Sequence, residues 1–317
     1  MFLAVGNVNY DYLIYSIDPP KIDSKIEAYK FLTEAGGSAC NFAVAVVKLG
    51  VKCGVLGCIG RDGDWLLRRL RERGVNTSTI FKIKEEVSGR VFVIVDQKGN
   101  RTMIAYKGAN KHLKPEVFEK INISIYEHIH FSGCEIGIVR KALELKDRDE
   151  KTLSYDPGST IMRKYSREVM NCLKFLDYLF VNEEEFNYFL KKNLIKDLGE
   201  IFERSEKIRY IFVKRGSAGS TAISKNSEVF CPAFKVKVVD TTGAGDAFNA
   251  GVLVGLKRGL SVKEALLLGN AVAALKIMKE GAQSMPLLDE VINFIEKHGY
   301  TISSLRDKIG QSTNSFF

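Results

Sequence analysis

The chain has 317 residues, of which 45% are hydrophobic and 27% charged, a composition typical of a soluble globular protein with a large core. No apolar run approaches the roughly 20 residues of a membrane span, and the first residues do not resemble a secretory signal. The net charge is +9, but no basic stripe with interleaved aromatic residues recurs, which disfavours nucleic acid as a partner. The six cysteines form no Cys-x-x-Cys pair, which predicts free thiols and a cytoplasmic location.

Short apolar strands alternate with amphipathic helices along most of the chain. The first strand covers residues 2–5, and the first helix begins near Ser38 and stops at Gly50. Strands separated by helices pair in parallel, so the alternation predicts an α/β fold with a doubly wound, mostly parallel sheet flanked by helices. The other predicted strands are 55–59, 128–132, 152–156, 178–181 and 210–214, and the other predicted helices are 64–73, 138–145, 167–176, 183–190, 246–258, 262–279 and 287–298.

Two segments, 11–33 and 88–106, interrupt this alternation. Both predict antiparallel strands, the second with a turn at Lys98-Gly99-Asn100. A small sheet built from two separated segments is expected to form a lid over a cleft and not to fold alone. Its exposed edge invites pairing with a second copy, which predicts a homodimer through the lid.

The most informative motif is Asp240-Thr-Thr-Gly-Ala-Gly-Asp-Ala-Phe248, which leads into the helix predicted from Asp246. Its glycines leave backbone N–H groups bare at a helix N-terminus, an arrangement that binds anions. A carboxylate beside such a site suits phosphoryl transfer, because it can take a hydroxyl proton next to developing negative charge. Taken alone, a glycine-rich run of this length is more often a loop with a helix N-cap.

Two motifs in the first 41 residues suit the binding of a hydroxylated substrate. Asn9 and Asp11 are placed at the end of the first strand, where open α/β sheets bind ligands. Gly36 and Gly37 permit close approach to the backbone, and Asn41 falls in the first turn of the next helix. An ordinary loop is the favoured alternative for the first motif, and a capped helix start is an equal alternative for the second.

Three further motifs suit a nucleotide and its metal ion. Asn182 and Glu185 at a helix start suit water-mediated magnesium binding, although an N-capped helix with an acidic first turn is the favoured alternative. The run Lys214-Arg-Gly-Ser-Ala-Gly219 is a strand end and glycine turn that fits a nucleotide phosphate or ribose, with a hairpin turn as the alternative. Small residues from Asn270 onward fit a slot for adenine or, equally, close helix packing.

Together and in this order, the motifs resemble those of the ribokinase-like (PfkB) carbohydrate kinase family over residues 1–298. The run Ala35-Gly-Gly-Ser-Ala-Cys-Asn41, followed by Gly50 and Gly60, resembles the family's N-terminal signature. Residues 240–248 resemble its highly specific C-terminal signature. This co-occurrence is very improbable by chance.

Smaller stretches refine the resemblance. Asn182-x-x-Glu185 is similar to the family's magnesium and phosphate motif. Ser154-Tyr-Asp-Pro-Gly158 and residues 179–186 resemble archaeal nucleoside kinases more than bacterial ribokinase. Ser38 also stands where ribokinase has a lysine, which argues against free ribose as the substrate.

The resemblance implies a kinase domain over residues 1–298 and a C-terminal tail over 299–317. It implies ATP as the phosphoryl donor, Mg²⁺ as the cofactor and, in some members, a monovalent cation near Asp240 and Thr242. The acceptor would be the primary hydroxyl of a sugar or ribonucleoside.

The resemblance also implies a role for each motif residue. Asp246 would be the base, and the backbone of Gly243, Ala244 and Gly245 would form the anion hole. The implied acceptor-binding residues are Asn9, Asp11, Gly36, Gly37 and Asn41, the nucleotide-binding residues are Asn182, Lys214, Gly216, Gly219 and Asn270, and the metal-binding residue is Glu185.

Alternatives stay open at this point. Within the class, the acceptor can be a ribonucleoside, ribose, a hexose or a keto-sugar acid. In another class stands a catalytically inactive regulator on the same fold, against which the intact Asp246 and the intact turn at Gly243–Gly245 argue. A basic RNA-binding protein is a more distant alternative.

Overall fold

The computed structural model describes residues 1–97, 101–144, 151–205 and 207–302. The predicted turn at Lys98-Gly99-Asn100, the predicted helix end at residue 145 and the tail from residue 303 onward lie outside these ranges. Within them, no helix is both long enough and apolar enough to cross a membrane.

The strands of the described ranges form one large sheet and one small sheet. In the strands of the large sheet, buried β-branched and aromatic residues are frequent, as expected where both faces are covered. In chain order they are β1 (Phe2–Gly6), β2 (Asn9–Ser16), β3 (Ala28–Gly36), β4 (Cys53–Gly60), β5 (Ile80–Ile83), β6 (Gly89–Val95), β7 (Arg101–Tyr106), β8 (His128–Ser132), β9 (Thr152–Asp156), β10 (Tyr178–Asn182), β11 (Tyr210–Lys214), β12 (Gly219–Ile223) and β13 (Glu228–Pro232).

The large sheet confirms the predicted doubly wound architecture. Among the described residues its strand order is β13-β12-β11-β10-β9-β8-β1-β4-β5, and the pairing is parallel from β11 to β5. β12 and β13 extend it by antiparallel pairing. These two strands and β5 were not predicted, because they are short and lie toward the edges, where hydrophobic patterning is weak.

The predicted helices appear in the predicted order with shifted boundaries, and one short helix, Gly199–Glu203, was not predicted. α4 begins at Gly158 and not at residue 167, with a non-helical residue at Tyr165 (φ −131°, ψ 34°). α7 begins two residues before Asp246, because Gly243 adopts a left-handed φ of 78° and ends the preceding turn. The helices are α1 (Ser38–Lys48), α2 (Asp64–Glu72), α3 (Ile136–Leu143), α4 (Gly158–Leu173), α5 (Glu183–Lys192), α6 (Gly199–Glu203), α7 (Ala244–Lys257), α8 (Val262–Ile277) and α9 (Leu288–Lys297).

The small sheet has the order β3-β2-β6-β7 within the described residues. The two antiparallel pairs, β2 with β3 and β6 with β7, were predicted, but β2 and β6 join them in parallel. In this register Asp11 lies opposite Glu34 and Val91, so the three side chains share one face.

Helices cover both faces of the large sheet and bury two hydrophobic clusters. Alternate residues of β1 point to opposite clusters, Phe2 and Ala4 to one and Leu3 and Val5 to the other. α7 and α8 approach so closely that a Cβ on Gly251 would lie 2.7 Å from the Cα of Gly269. Glycine at both positions therefore allows α7 to pack closely on α8, and the first turn of α7 carries Asp246.

Candidate active site

Polar residues converge where neighbouring parallel strands of the large sheet end. β9 ends at Asp156, β10 at Asn182 and β11 at Lys214, and the N-terminus of α7 faces the same edge. Carboxyl ends of parallel strands beside a helix N-terminus form the usual ligand site of an open α/β sheet. Residues of three separate motifs, Asn182, Lys214 and Gly245, therefore lie at one edge of the sheet.

Asp246 is held by Asn41. The Nδ2 atom of Asn41 donates a hydrogen bond of 3.0 Å to Oδ2 of Asp246, and Asn41 Oδ1 accepts one of 3.2 Å from Nε2 of Gln283. Asn41 and Gln283 are both buried, at 4% and 5% exposure, so the carboxylate has a fixed orientation. Asn41 was predicted as an acceptor-binding residue, whereas Gln283 was missed.

The pKa of Asp246 is raised from an ordinary 3.8 to about 7. Burial is the main cause, since it disfavours the charged form; the hydrogen bond from Asn41 opposes this effect, and the charge of Asp156 adds to it. A carboxylate with this pKa is a much stronger base than an exposed aspartate, and it still ionises near neutral pH.

Lys214 and Asp156 form a largely buried ion pair beside the turn from Asp240 to Gly245, which is called the glycine turn from here on. Lys214 Nζ lies 2.5 Å from Asp156 Oδ2, which also accepts a hydrogen bond of 2.8 Å from Asn249 Nδ2. Burial disfavours the Asp156 anion, but Lys214 and Asn249 outweigh burial and lower the pKa of Asp156. A Cβ on Gly245 would lie 3.5 Å from Lys214 Nζ, so this cation lies over the predicted anion hole.

The predicted anion hole corresponds to the first turn of α7. No side chain caps this helix within the described residues, so its first N–H groups are available to a ligand. One exception concerns Ala244, whose N–H donates to the carbonyl of Thr241 at 3.2 Å.

Asp11 and Asn9 lie at the start of β2 and not at the end of β1, which corrects their predicted placement. Asp11 is 8% exposed, and its Oδ1 atom has no hydrogen-bond partner among the described residues. Burial, followed by the charges of Glu34 and Asp246, raises the pKa of Asp11 to about 7. A buried acceptor atom without a partner is costly, which fits a site completed by a ligand hydroxyl.

The remaining predicted acceptor residues shape this pocket. A Cβ on Gly36 would lie 1.9 Å from the carboxylate of Asp11, and Gly37 has a φ of +97°. Asn9 Oδ1 accepts a hydrogen bond of 2.7 Å from Nδ2 of Asn110, a buried residue that sequence reasoning missed. The short Cβ distance at Gly36 and the positive φ of Gly37 favour glycine at these two positions.

Glu34 is a second carboxylate of the small sheet beside the site. It accepts a hydrogen bond from the backbone N–H of Ala282, and a Cβ on Gly281 would lie 2.5 Å from its Oε1. Burial raises its pKa. Glu34 lies near Asp11 only because β2 and β3 pair in this register. No local sequence pattern indicates this proximity, so Glu34 was not predicted as a site residue.

The small sheet contacts the rest of the protein at two places, the glycine turn and the segment just after α8. Arg101 donates to Oγ1 of Thr242 at 2.7 Å and to Oγ1 of Thr241. The Tyr15 hydroxyl donates to Glu280 Oε1 at 2.7 Å, and Lys30 Nζ does so at 2.6 Å. These contacts attach the small sheet to that turn and to the segment after α8, and its role as a lid stays a prediction.

Comparison with known proteins identifies the family. The model of the pfkB family carbohydrate kinases matches residues 1–289. The chain belongs to this family. As a pfkB carbohydrate kinase it is a phosphotransferase that acts on an alcohol group.

The relatives of this pfkB kinase act on sugars or nucleosides by name. It is 29% identical over 300 residues to a nucleoside kinase of Methanocaldococcus jannaschii, covering 93% of this chain and 96% of that protein. It is 29% identical over 297 residues to an ATP-dependent ribose-1-phosphate kinase of Halopiger xanaduensis, covering 93% and 98%. The crystal structure of the M. jannaschii nucleoside kinase has a TM-score of 0.84 at 27% identity, covering 94% of this chain and 98% of that one.

The predicted metal residues of this pfkB kinase form a capping box. Asn182 Oδ1 accepts from the N–H of Glu185 at 2.7 Å, and Glu185 Oε2 accepts from the N–H of Asn182 at 2.9 Å. Glu185 Oε1 accepts a hydrogen bond of 2.7 Å from Ser159. The described residues contain no cluster of three or more acidic, His or Cys side chains suited to a metal. Both Glu185 oxygens already accept hydrogen bonds, so Mg²⁺ would be held indirectly, through its own waters, which the ion keeps readily.

Three of the predicted nucleotide residues follow Lys214 in the chain: Gly216 in the turn after β11, Gly219 at the start of β12 and Asn270 in α8. Gly216 has a φ of +55° and open space around its Cβ position, whereas a Cβ on Gly219 would lie 2.2 Å from the carbonyl of Cys231. The side chain of Asn270 donates to the carbonyls of Cys231 and Pro232, both at 3.1 Å. Asn270 therefore ties α8 to β13, and its contact with a nucleotide stays a prediction.

Proposed function

We propose that this kinase transfers the γ-phosphoryl group of ATP to a primary hydroxyl of a neutral sugar or ribonucleoside. One observation carries the proposal: the Asp246 carboxylate, fixed by Asn41 and with a pKa of about 7, lies in the first turn of an uncapped helix. A base and an anion site in contact are what phosphoryl transfer to an alcohol needs.

Asp246 acts as the base in this proposal. Asn41 holds Oδ2, so we assign Oδ1 to the incoming hydroxyl. As the hydroxyl oxygen bonds to the γ-phosphorus, its proton passes to Asp246, and the bond between phosphorus and the bridging oxygen of ADP breaks. The fixed orientation of the carboxylate lowers the entropic cost of reaching this geometry.

The phosphate side uses backbone and a buried cation. The N–H groups of the turn at Gly243, Ala244 and Gly245 would receive the transferred group, with Ala244 releasing its bond to Thr241. Lys214 adds positive charge above this turn. Bound Mg²⁺ supplies neutralisation of phosphate charge, and Glu185 with Asn182 would hold it through water. We place the nucleotide along Gly216, Gly219 and Asn270.

The acceptor site favours an uncharged polyol. Asp11 pairs with Glu34 across β2 and β3, and the charges of Glu34 and Asp246 both raise its pKa, so the two other carboxylates lie around Asp11. They suit hydroxyl donors and repel a substrate phosphate. This arrangement favours a nucleoside, as in the M. jannaschii relative, over a sugar phosphate, as in the H. xanaduensis relative.

We also propose a homodimer in the cytoplasm. One face of the small sheet exposes Phe31 and Ile104 at 57% and 59%, and the rings of Phe31, Tyr12 and Phe92 stack on that face. An apolar sheet face of this kind is usually covered by a partner. All six cysteines are buried free thiols, which suits a reducing compartment. A monomer in light scattering at micromolar concentration would contradict the dimer.

The direct test is an acceptor panel with Mg·ATP and ADP release as the readout. The panel contains adenosine, inosine, guanosine, cytidine, ribose, ribose 1-phosphate, fructose and 2-keto-3-deoxygluconate. We expect turnover with a neutral acceptor and none with Asp246→Asn. ATP binding without turnover on any acceptor would instead favour the inactive regulator, and a preference for ribose 1-phosphate would overturn the neutral-acceptor assignment.

A further inference from the structure

Lys276 places a fully buried ammonium group under the glycine turn. It lies in the last turn of α8, and its side chain is 0% exposed. Its Nζ atom donates a hydrogen bond of 2.8 Å to the main-chain oxygen of Asp240 and lies 3.7 Å from Asp240 Oδ2. Burying an ammonium group costs several kcal/mol unless it is paired. A lysine placed here therefore needs Asp240.

The carboxylate of Asp240 is itself surrounded by donors. Oδ1 accepts from the N–H and the hydroxyl of Thr242 at 2.8 and 2.7 Å, and Oδ2 accepts from the N–H of Gly281 at 3.0 Å. Arg101 of the lid approaches Oδ1 to 3.8 Å. Consistent with these donors, and against the effect of burial, the pKa of Asp240 is lowered.

The backbone reinforces the same contact. The N–H groups of Val239 and Asp240 both donate to the carbonyl of Ile277, at 2.7 and 3.1 Å. Ile277 is the neighbour of Lys276, so the end of α8 and the start of the glycine motif form one unit. Movement of the lysine would displace the turn that leads to Gly243.

A monovalent metal ion does not fit this arrangement. The family resemblance implies such an ion, in some members, near Asp240 and Thr242. A metal ion needs several free oxygen ligands, but the oxygens of Asp240 already accept bonds from Lys276, Thr242 and Gly281. An added cation would also lie next to the buried ammonium, where like charges repel strongly.

We propose that Lys276 is a positioning residue that replaces the monovalent cation, so that this kinase works without K⁺ or Na⁺. The ammonium group holds the turn from Asp240 to Gly243 in shape and keeps a positive charge behind the phosphate site. Its charge also reaches the base, since Lys276 lowers the pKa of Asp246 among the other groups around it.

The first test uses the wild-type protein and rests on the proposed function only for its activity arm. Steady-state kcat and the thermal midpoint are measured in chloride salts of K⁺, Na⁺ and tetramethylammonium at equal ionic strength. We expect both to agree across the salts, with kcat within about two-fold, because screening is equal in all three. Strong activation or stabilisation by K⁺ alone would overturn the proposal.

The second test converts the site. In Lys276→Met the ammonium is lost, and we expect kcat to fall by about ten-fold or more and K⁺ to restore part of it. K⁺, and not tetramethylammonium, should also raise the thermal midpoint of this variant, a readout that needs no catalysis. Lys279→Met is the matched control, since Lys279 is half-exposed and pairs with Glu290 at 3.5 Å.

The outcomes separate the two proposals. If Asp246→Asn stays active, the base assignment fails, while the cation dependence of the thermal midpoint still decides the role of Lys276. Normal kcat in Lys276→Met without added K⁺ would refute the role of the charge. If Lys276→Met does not fold, the wild-type salt series decides alone.

Discussion

Asn41 and Asp246 lie 205 positions apart in the chain and meet through a hydrogen bond of 3.0 Å. One stands in the first helix of the domain and the other in the first turn of α7. In the proposed mechanism this bond joins a predicted acceptor-binding residue to the base. Most of the expected behaviour of this kinase follows from the environment of that carboxylate.

Replacing the base should abolish turnover without unfolding the protein. Asp246→Asn keeps the shape but cannot accept a proton, so kcat should fall by about 10²–10⁴-fold. The thermal midpoint should stay equal or rise, because a carboxylate with a pKa raised by burial opposes folding at neutral pH. The matched control is Asp289→Asn, an exposed aspartate in the first turn of α9. Turnover within a few-fold of wild type would end the base assignment.

Activity should depend on pH through Asp246. The carboxyl must be ionised to accept a proton, so kcat/KM should decline as the pH falls through about 7. The measurement is a pH profile from pH 5 to 9 with saturating donor. A profile that is flat between pH 6 and 8 would contradict the raised pKa.

Asp11 should contribute a stability effect of opposite sign to that of a salt-bridged aspartate. Its folded pKa of about 7 lies above the ordinary 3.8, so the folded state binds the proton more tightly. The resulting stabilisation is complete below about pH 4 and is lost as the pH rises through about 7. The difference in thermal midpoint between wild type and Asp11→Asn should follow this curve. Asp11→Asn should also raise the KM for the acceptor, while the KM for ATP should change less.

Removing the cation from the ion pair at Lys214 should destabilise the fold. Lys214→Met leaves Asp156 buried without its partner, which costs about 3–5 kcal/mol. Urea unfolding measures this loss, and the double variant Lys214→Met with Asp156→Asn should recover much of it. Because Lys214 also lies over the glycine turn, the KM for ATP should rise in both variants. Full stability of the single variant would show that the pair is dispensable.

Glu185→Gln should weaken the response to magnesium. Glutamine can still accept the bond from the N–H of Asn182, so the capping box survives while the negative charge is lost. The Mg²⁺ concentration for half-maximal activity should rise several-fold. Glu264→Gln, in the capping box at the start of α8, is a matched control that alters a helix cap far from the metal site. An unchanged magnesium titration would assign the ion to another group.

Local patterns predicted most of the fold. Apolar runs and helix caps predicted the central strands and the order of the helices, because those signals act over a few residues. The start of α4 was missed because the sequence Pro157-Gly158 predicts a break in the chain. In the structure the helix nevertheless begins at Gly158, which has a φ of +68°. The parallel pairing of β2 with β6 joins segments that local sequence cannot relate.

Candidate site residues that belong to a sequence motif were predicted. Those that reach the site only through the folding of distant segments were missed. Asp246 and Asn41 belong to motifs, so the sequence singled them out, and the structure joins them by a hydrogen bond. Asp156 binds Lys214, which lies 58 positions away in the chain, and Asn249 binds Asp156 across 93 positions. Neither Asp156 nor Asn249 stands in a motif with a recognised role. Lys276 was missed because a lone lysine in a helix predicts an exposed side chain.

The segment from Gly281 to Gln283 bears on how the two substrates bind together. Its three residues contact Asp240, Glu34 of the small sheet and Asn41. A Cβ on Gly243 would also lie 2.5 Å from the Ala282 carbonyl. If ATP and the acceptor bind as proposed, we expect a shift of this segment on binding of one substrate to alter the site of the other. By reciprocity, the acceptor should tighten ATP binding by the same factor by which ATP tightens the acceptor. Such synergy would limit the hydrolysis of ATP when no acceptor is bound.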